Sequence, residues 1–194
     1  MSDVVVGPDG KARCAWAGAD DSLVRYHDKV WGKRTYDESA LFEALTLGVF
    51  QAGLSWEIVF RKREAFQKVF HGFDVAKVAR MTSRDVDRLV DDASIIRNRA
   101  KIEATIANAR AAADVDDLSE LLWSFAPAPR PRPVDISKVP AVTPESTAMA
   151  RELKRRGFRF VGPTTAYALM QATGMVDDHL RACWVPAVGD DAAR

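Results

Sequence analysis

Leu153-Lys154-Arg155-Arg156-Gly157-Phe158-Arg159-Phe160-Val161-Gly162-Pro163-Thr164-Thr165-Ala166 is the stretch on which the fold turns. A helix with Thr143 as N-cap and Pro144 at its first position is predicted to end at Arg156. Gly157 then takes the left-handed position after the last turn. Val161-Gly162-Pro163 makes a turn, and a second helix runs from Thr164 to Ala172, ending at Gly174. Helix, glycine-bearing turn and helix together form a hairpin over about residues 151–172. Its outward N–H groups can hold a DNA phosphate while neighbouring Arg and Lys side chains neutralise the flanking ones. From Arg151 to Gly162 there are five basic residues and one acidic. A corner between two helices with a solvated basic face would read the same way, and both readings stand at this point. Arg97, Arg99 and Lys101 form a second basic group that could grip the other strand.

Outward from the hairpin the pattern is helical. Leu41, Phe42, Leu45 and Val49 follow 3.6-residue spacing behind Asp37 or Ser39, and Gly53 breaks that helix. Trp56 to Phe70 reads as the next helix, Thr82 starts a short one through Val90, and Asn98 to Ala113 is Ala-rich and helix-favouring. Six of the nine prolines lie in Ala126–Pro144, the one clear irregular connection. Val4-Val5-Val6 is a weak strand signal in a Gly- and Asp-rich start, so residues 1–12 are expected to fray. Residues 187–194 read as a flexible tail, and residues 13–186 as one catalytic domain. The expectation is an all-α fold with two small lobes sharing a cleft.

Composition bounds the rest. The chain has 194 residues, 47% hydrophobic and 28% charged, which is globular rather than disordered. A formal charge of +1 excludes a histone-like wrapper but leaves room for a local basic face. No apolar run approaches the roughly 20 residues that span a bilayer, and two cysteines make no secreted scaffold. A cytoplasmic monomer without membrane or protein partners is expected.

Both cysteines and two of the three histidines form one candidate set: Cys14, His27, His179 and Cys183. His179 and Cys183 are spaced i, i+4, which on a helix puts both on one face. Two thiolates and two imidazoles make a closed tetrahedral zinc site, provided the N-terminus folds onto the C-terminal segment. The spacing matches no common finger, so buried thiols beside ordinary histidines, or a Cys14–Cys183 disulfide, remain open on spacing alone. Trp16, Tyr26, Trp31 and Trp56 cluster in the first 56 residues, and such rings could cage a planar, electron-poor base.

Several motifs carry a resemblance. Arg13-Cys14-Ala15-Trp16, Tyr26-His27-Asp28 with Trp31-Gly32, and Gln51-Ala52-Gly53-Leu54-Ser55-Trp56 resemble those of 3-methyladenine DNA glycosylase I. So do Lys62-Arg63-Glu64, Ile95 through Ile102, Leu122-Trp123-Ser124-Phe125, Gly157 through Gly162, and Asp178-His179 with Cys183, covering roughly residues 13–186 in order. The resemblance implies a helix-hairpin-helix glycosylase that excises 3-methyladenine from double-stranded DNA by base flipping. It implies a structural zinc joining the N- and C-terminal segments through Cys14, His27, His179 and Cys183. It places a base pocket at Trp16, Tyr26, Trp31, Gly48, Gln51 and Trp56, and DNA contacts at Arg159, Gly162 and Thr164 besides the second basic group. Asp178 is expected to support a zinc-ligating histidine.

The chain departs from the family at two positions. A family glutamate three residues before the Gln51 motif hydrogen-bonds the excised base; here it is Gly48, which has no acceptor. The base range is therefore expected either to rest on another acceptor or to widen through shape and stacking. Asp177 stands where relatives have asparagine, and it is a candidate for stabilising the developing sugar cation. The other reading is a solvated residue or an N-cap for a helix carrying His179 and Cys183. No lysine occupies the segment just after the hairpin, where lyase-type relatives keep their nucleophile, which points to a monofunctional hydrolase. A zinc-stabilised DNA-binding module without excision is the reading from another class.

Overall fold

The computed structural model describes residues 3–18 and 20–187. Among these the chain is mainly helical: α1 (Asp21–Lys29), α2 (Glu38–Gln51), α3 (Trp56–Phe60), α4 (Arg63–Val69), α5 (Val75–Ala79), α6 (Ser83–Asp91), α7 (Arg99–Ala113), α8 (Leu118–Trp123), α9 (Pro144–Arg155) and α10 (Pro163–Ala172). No helix among the described residues is long and apolar enough to cross a membrane. The expected flexible tail lies, except for residue 187, outside the described residues. The chain forms two compact units, one of Met1–Thr35, Ala126–Ala141 and Met170–Arg194, the other of Tyr36–Phe125 and Val142–Leu169.

The first unit corrects the expectation of a frayed start. β1 (Val4–Val6) and β2 (Ala12–Cys14) pair antiparallel, with Val4 opposite Cys14 and Val6 opposite Ala12. The turn closes because the Gly7 N–H donates to the Lys11 carbonyl at 3.0 Å and Gly10 takes φ +74°. Arg13 then locks the ribbon from one side. Its guanidinium donates to Asp9 at 2.7 Å and to Asp28 of α1 at 2.8 Å. A frayed end is the default only where nothing ties it down; here the ties are distant in sequence. The Trp184 N–H donates to the Ala12 carbonyl at 2.8 Å, and the Ile136 N–H to Asp3 at 3.1 Å. Cys14, Leu180, Cys183 and Val185 form a small buried core, with Val4, Trp16, Val139 and Trp184 packed against it.

The second unit is built on α2. Asp37 caps it by accepting the Ala40 N–H at 2.8 Å, and Leu41, Phe42, Leu45, Thr46, Leu47, Gly48, Val49 and Phe50 are all buried. A helix apolar on every face must be surrounded, and α3, α5, α7 and α8 pack on it. Phe50, Phe66, Phe70 and Phe73 stack alongside, with the Phe50 and Phe66 ring centroids 4.4 Å apart. Each such buried ring contributes about 1.5–3 kcal/mol.

Two local readings change here. The single helix predicted over Trp56–Phe70 is broken at Arg61-Lys62, where the Lys62 ammonium donates to the Ala93 and Ser94 carbonyls, each at 3.0 Å. The helix expected to carry His179 and Cys183 does not form, since residues 177–187 are irregular backbone with one turn at 181–182. The hairpin stretch forms as read: Thr143 caps α9, Pro144 opens it, and Gly157 follows at φ +93°. Thr82 and Asp85 form a capping box on α6, and Asn98 caps α7.

Candidate functional site

Cys14 ends β2, His27 lies on the last turn of α1, and His179 and Cys183 flank a turn closed by the Cys183 N–H donating to the Leu180 carbonyl at 2.8 Å. All four are buried, and one ligand atom from each lies within 4.8 Å of the others. The Cys183 sulfur stands 3.6 Å from His27 Nε2 and 3.6 Å from His179 Nδ1. Metal–ligand bonds of about 2.0–2.3 Å give tetrahedral edges of roughly 3.3–3.8 Å, so these separations suit a metal ion.

The remaining ring nitrogens support the same reading. His27 Nδ1 sits 2.8 Å from Asp28 Oδ1, and His179 Nε2 sits 3.2 Å from the Trp31 carbonyl. Each imidazole thus has an oxygen partner that leaves the inward nitrogen for a metal. A hydrogen bond from Cys14 drives Cys183 well below the ordinary thiol range against the opposing effect of burial, helped by the two histidines. The donor set fits a soft divalent ion.

Asp28 is the organiser that the sequence reading missed. Burial raises its pKa, but hydrogen bonds from Arg13, His27 and Trp184 Nε1 outweigh that and hold it below the usual carboxylate value. Asp28 belonged to a quoted motif, yet its links to Arg13 and Trp184 have no local signal. Asp28→Asn is expected to weaken metal binding about 10- to 100-fold in competition with a chromophoric chelator. An unchanged affinity would remove Asp28 from the support of the site.

Asp178 has a different part from the one expected. Its carboxylate receives Arg130 at 2.6 Å and Gln171 at 2.9 Å, while His179 turns its second nitrogen to the Trp31 carbonyl. Asp177 cannot cap a helix that is absent. It accepts Arg132 Nε at 2.8 Å, and Arg132 also donates to the Val185 and Pro186 carbonyls. These arginines of the Pro-rich connection hold the segment of the same unit that carries His179 and Cys183.

Trp16 and Trp31 pack edge to face at 4.9 Å, and both rings border the histidines, Trp16 at 5.1 Å from His27 and Trp31 at 4.7 Å from His179. Tyr26 is buried on α1. The structure therefore brings Trp16 and Trp31 together with His27 and His179.

Gly48, Gln51 and Trp56 belong to the second unit, along α2 and at the start of α3. Gly48 is buried, and a Cβ built on it would lie 3.1 Å from the Thr165 methyl. Thr165 thus closes the space where a longer side chain would begin.

Lys101 is corrected outright. It is 7% exposed, and its ammonium donates to the Phe50 carbonyl at 2.9 Å and the Ala52 carbonyl at 2.5 Å. It satisfies the carbonyl end of α2, and burial lowers its pKa; a DNA phosphate cannot reach it. Arg99 is exposed but paired with Asp87 at 2.7 Å and Glu103 at 3.7 Å, while Arg97 is exposed.

Arg159, Gly162 and Thr164 are exposed at the turn between α9 and α10. A residue not anticipated there is Asn108 of α7, 1% exposed. Its amide clamps the turn: the Arg159 N–H donates to Asn108 Oδ1 at 2.7 Å and Asn108 Nδ2 donates to the Arg159 carbonyl at 3.1 Å. The signal was present as a lone amide on the apolar face of an Ala-rich helix.

Comparison with known proteins places these residues in context. The profile described as methyladenine glycosylase matches residues 16–186. A Haemophilus influenzae protein named DNA-3-methyladenine glycosylase is 44% identical over 180 residues, covering 88% of this chain and 96% of the relative. A crystal structure of a 3-methyladenine DNA glycosylase I superposes with a TM-score of 0.85 at 42% identity, over 89% of this chain and 98% of the other. A variant of such an enzyme in complex with 3-methyladenine superposes at 0.84 with 34% identity, over 91% and 99% of the two chains.

Proposed function

The chain belongs to the methyladenine glycosylase family, that of 3-methyladenine DNA glycosylase I, and from that premise we propose how its residues release 3-methyladenine from DNA. The observation that carries the reading is the family match over residues 16–186, a span that contains Trp16, Tyr26, His27, Trp31, Trp56, His179 and Cys183, with Cys14 just before it. The enzyme is a hydrolase of N-glycosyl bonds in base excision repair. In the finer reading it acts as a monomer on duplex DNA in the cytoplasm, as a two-lobed helix-hairpin-helix protein.

A 3-alkylated adenine joined to deoxyribose carries positive charge and is a good leaving group before any protein touches it. The chain's task is to extrude the nucleotide, hold the base and admit water to the sugar. Trp16, Tyr26, Trp31, Gln51 and Trp56 form the base pocket in this reading. Attraction between the cationic base and a tryptophan face favours it over adenine by about 1–2 kcal/mol when desolvated. Arg97, Arg159, Gly162 and Thr164 bind the backbone phosphates. With no lysine after Lys154 to attack the sugar, the product is an abasic site with both strands intact.

Cys14, His27, His179 and Cys183 would hold zinc, which in such a closed set supplies cross-linking of the two chain ends rather than chemistry. Their surroundings support this: the Leu180 N–H donates to the Cys14 sulfur at 3.4 Å, as expected beside a thiolate ligand.

Gly48 favours a second reading of the base range. With no acceptor at this position, the pocket discriminates by shape and stacking, and further alkylated purines are accepted beside 3-methyladenine. Chromatography of bases freed from methylated duplex DNA tests both readings. Free 3-methyladenine is the expected product, and 7-methylpurines beside it would mark the wider range. Binding without any release would overturn the glycosylase in favour of a DNA-binding module.

Asp177 is the remaining candidate for stabilising the sugar cation. Its charge is already matched by Arg132, so we expect Asp177→Asn to excise at the parent rate while melting earlier. A rate loss of about 100-fold or more with an unchanged melting temperature would assign it the catalytic part instead.

A further inference from the structure

Phe160, in the turn between α9 and α10, combines a left-handed backbone with an exposed ring. It takes φ +58°, a left-handed conformation that disfavours every residue with a Cβ, and its side chain is 51% exposed. Phe73 also has a positive φ, but its ring is 1% exposed and packs on Phe70 and Phe42. Burial compensates the backbone there; at Phe160 it does not.

The neighbours make the conformation unavoidable. Phe158 and Val161 are buried at 4% and 8% exposure, and Asn108 holds both the N–H and the carbonyl of Arg159. With the chain pinned on both sides, the ring of residue 160 is directed outward. Arg151, Lys154, Arg155, Arg156 and Arg159 precede it within nine residues and are all exposed, Arg155 and Arg156 being paired with Glu152. Strain held in place by its surroundings on an exposed turn points to a binding role. The occupant that suits an aromatic ring within a cationic rim is a polyanion with apolar faces between its charges, which describes a nucleic-acid strand.

We propose that Phe160 is a DNA-contacting residue whose ring lies against the sugar and base edge of the strand held by the turn between α9 and α10. The proposal rests on the glycosylase reading above. Arginine neighbours supply salt-dependent attraction, and Phe160 supplies a salt-independent apolar contact that helps hold the distorted duplex.

Phe160→Gly separates strain from function, because glycine adopts this φ freely. Melting temperature, base release from methylated duplex, and affinity for a duplex bearing an abasic-site analogue over a salt series are measured for the parent, Phe160→Gly and Phe160→Ala. Phe160→Gly is expected to melt at or above the parent temperature, yet bind about 10-fold more weakly with an unchanged salt slope. Phe160→Ala is expected to lose affinity similarly without gaining stability. Arg159→Ala, as the contrast, should reduce the salt slope. If the parent releases 3-methyladenine and both Phe160 variants match it in affinity and release, the inference fails while the glycosylase reading stands. If the parent neither binds duplex nor releases base, the reading beneath the inference fails, and the inference with it.

Discussion

Replacing Cys183 with alanine is expected to lower the melting temperature by about 10 °C and to abolish stoichiometric zinc. Isolated zinc-finger peptides gain about 10–16 kcal/mol from such a metal, because without it nothing holds their ends. Here the ribbon, the Arg13–Asp28 pair and the small core around Leu180 and Val185 retain part of the order. A residual loss of about 3–4 kcal/mol follows, at roughly 2–4 °C per kcal/mol for a chain of this size. The variant also leaves two imidazoles with centroids 4.7 Å apart in a buried space without their common partner. Zinc content by atomic absorption and a thermal melt check the prediction, and cobalt substitution should give the absorption of a tetrahedral sulfur–nitrogen site in the parent alone. A metal-free parent with the same melting temperature as Cys183→Ala would reject the structural metal.

Gly174→Ala is expected to be as damaging without touching any ligand. Gly174 sits at φ +75°, and a Cβ there would lie 2.6 Å from the Arg34 backbone nitrogen and 2.7 Å from the Lys33 carbonyl carbon. The obstacle is backbone, which cannot rotate aside. The segment it would displace is tied by the Gly32 and Thr35 N–H groups donating to the Ala172 and Thr173 carbonyls, both at 3.3 Å. About 1–2 kcal/mol for the left-handed alanine and about 1–3 kcal/mol for the overpacking give a loss of roughly 2–5 kcal/mol. Because Trp31 precedes this segment and accepts from the His179 side, base release should fall together with stability. Melting and excision at the parent's values would show that the approach of the two backbones is looser than described.

The α9–α10 pair and the buried Cys/His group were legible for different reasons. Thr143, Pro144 and Gly157 act on their own neighbours, so cap, first turn and left-handed exit could be read from the string. Cys14, His27, His179 and Cys183 were reached through motifs, because spacing alone left a disulfide and unrelated buried thiols open. Even then the local picture was wrong: i, i+4 spacing suggested a helix where a turn around Leu180 brings His179 and Cys183 together. Asp28, Asn108, Arg130 and Arg132 could not be read as a support structure, since their partners lie 15 to 156 positions away.

Lys101 shows where the division falls. Within Arg97-Asn98-Arg99-Ala100-Lys101 three cations look alike, and the string offers no way to rank them. Folding exposes Arg97, pairs Arg99 with Asp87 and buries the Lys101 ammonium against the end of α2. By itself the sequence determined the caps at Asp37, Thr82, Asn98 and Thr143, the apolar face of α2 and which family motifs are present, because those depend on residues a few positions apart. The tertiary structure alone decided which charges remain in water, which oxygen steadies each histidine and why Phe160 faces outward. Burial and hydrogen bonding depend on which distant segments meet, and that is set by packing of the whole chain rather than by any stretch of it.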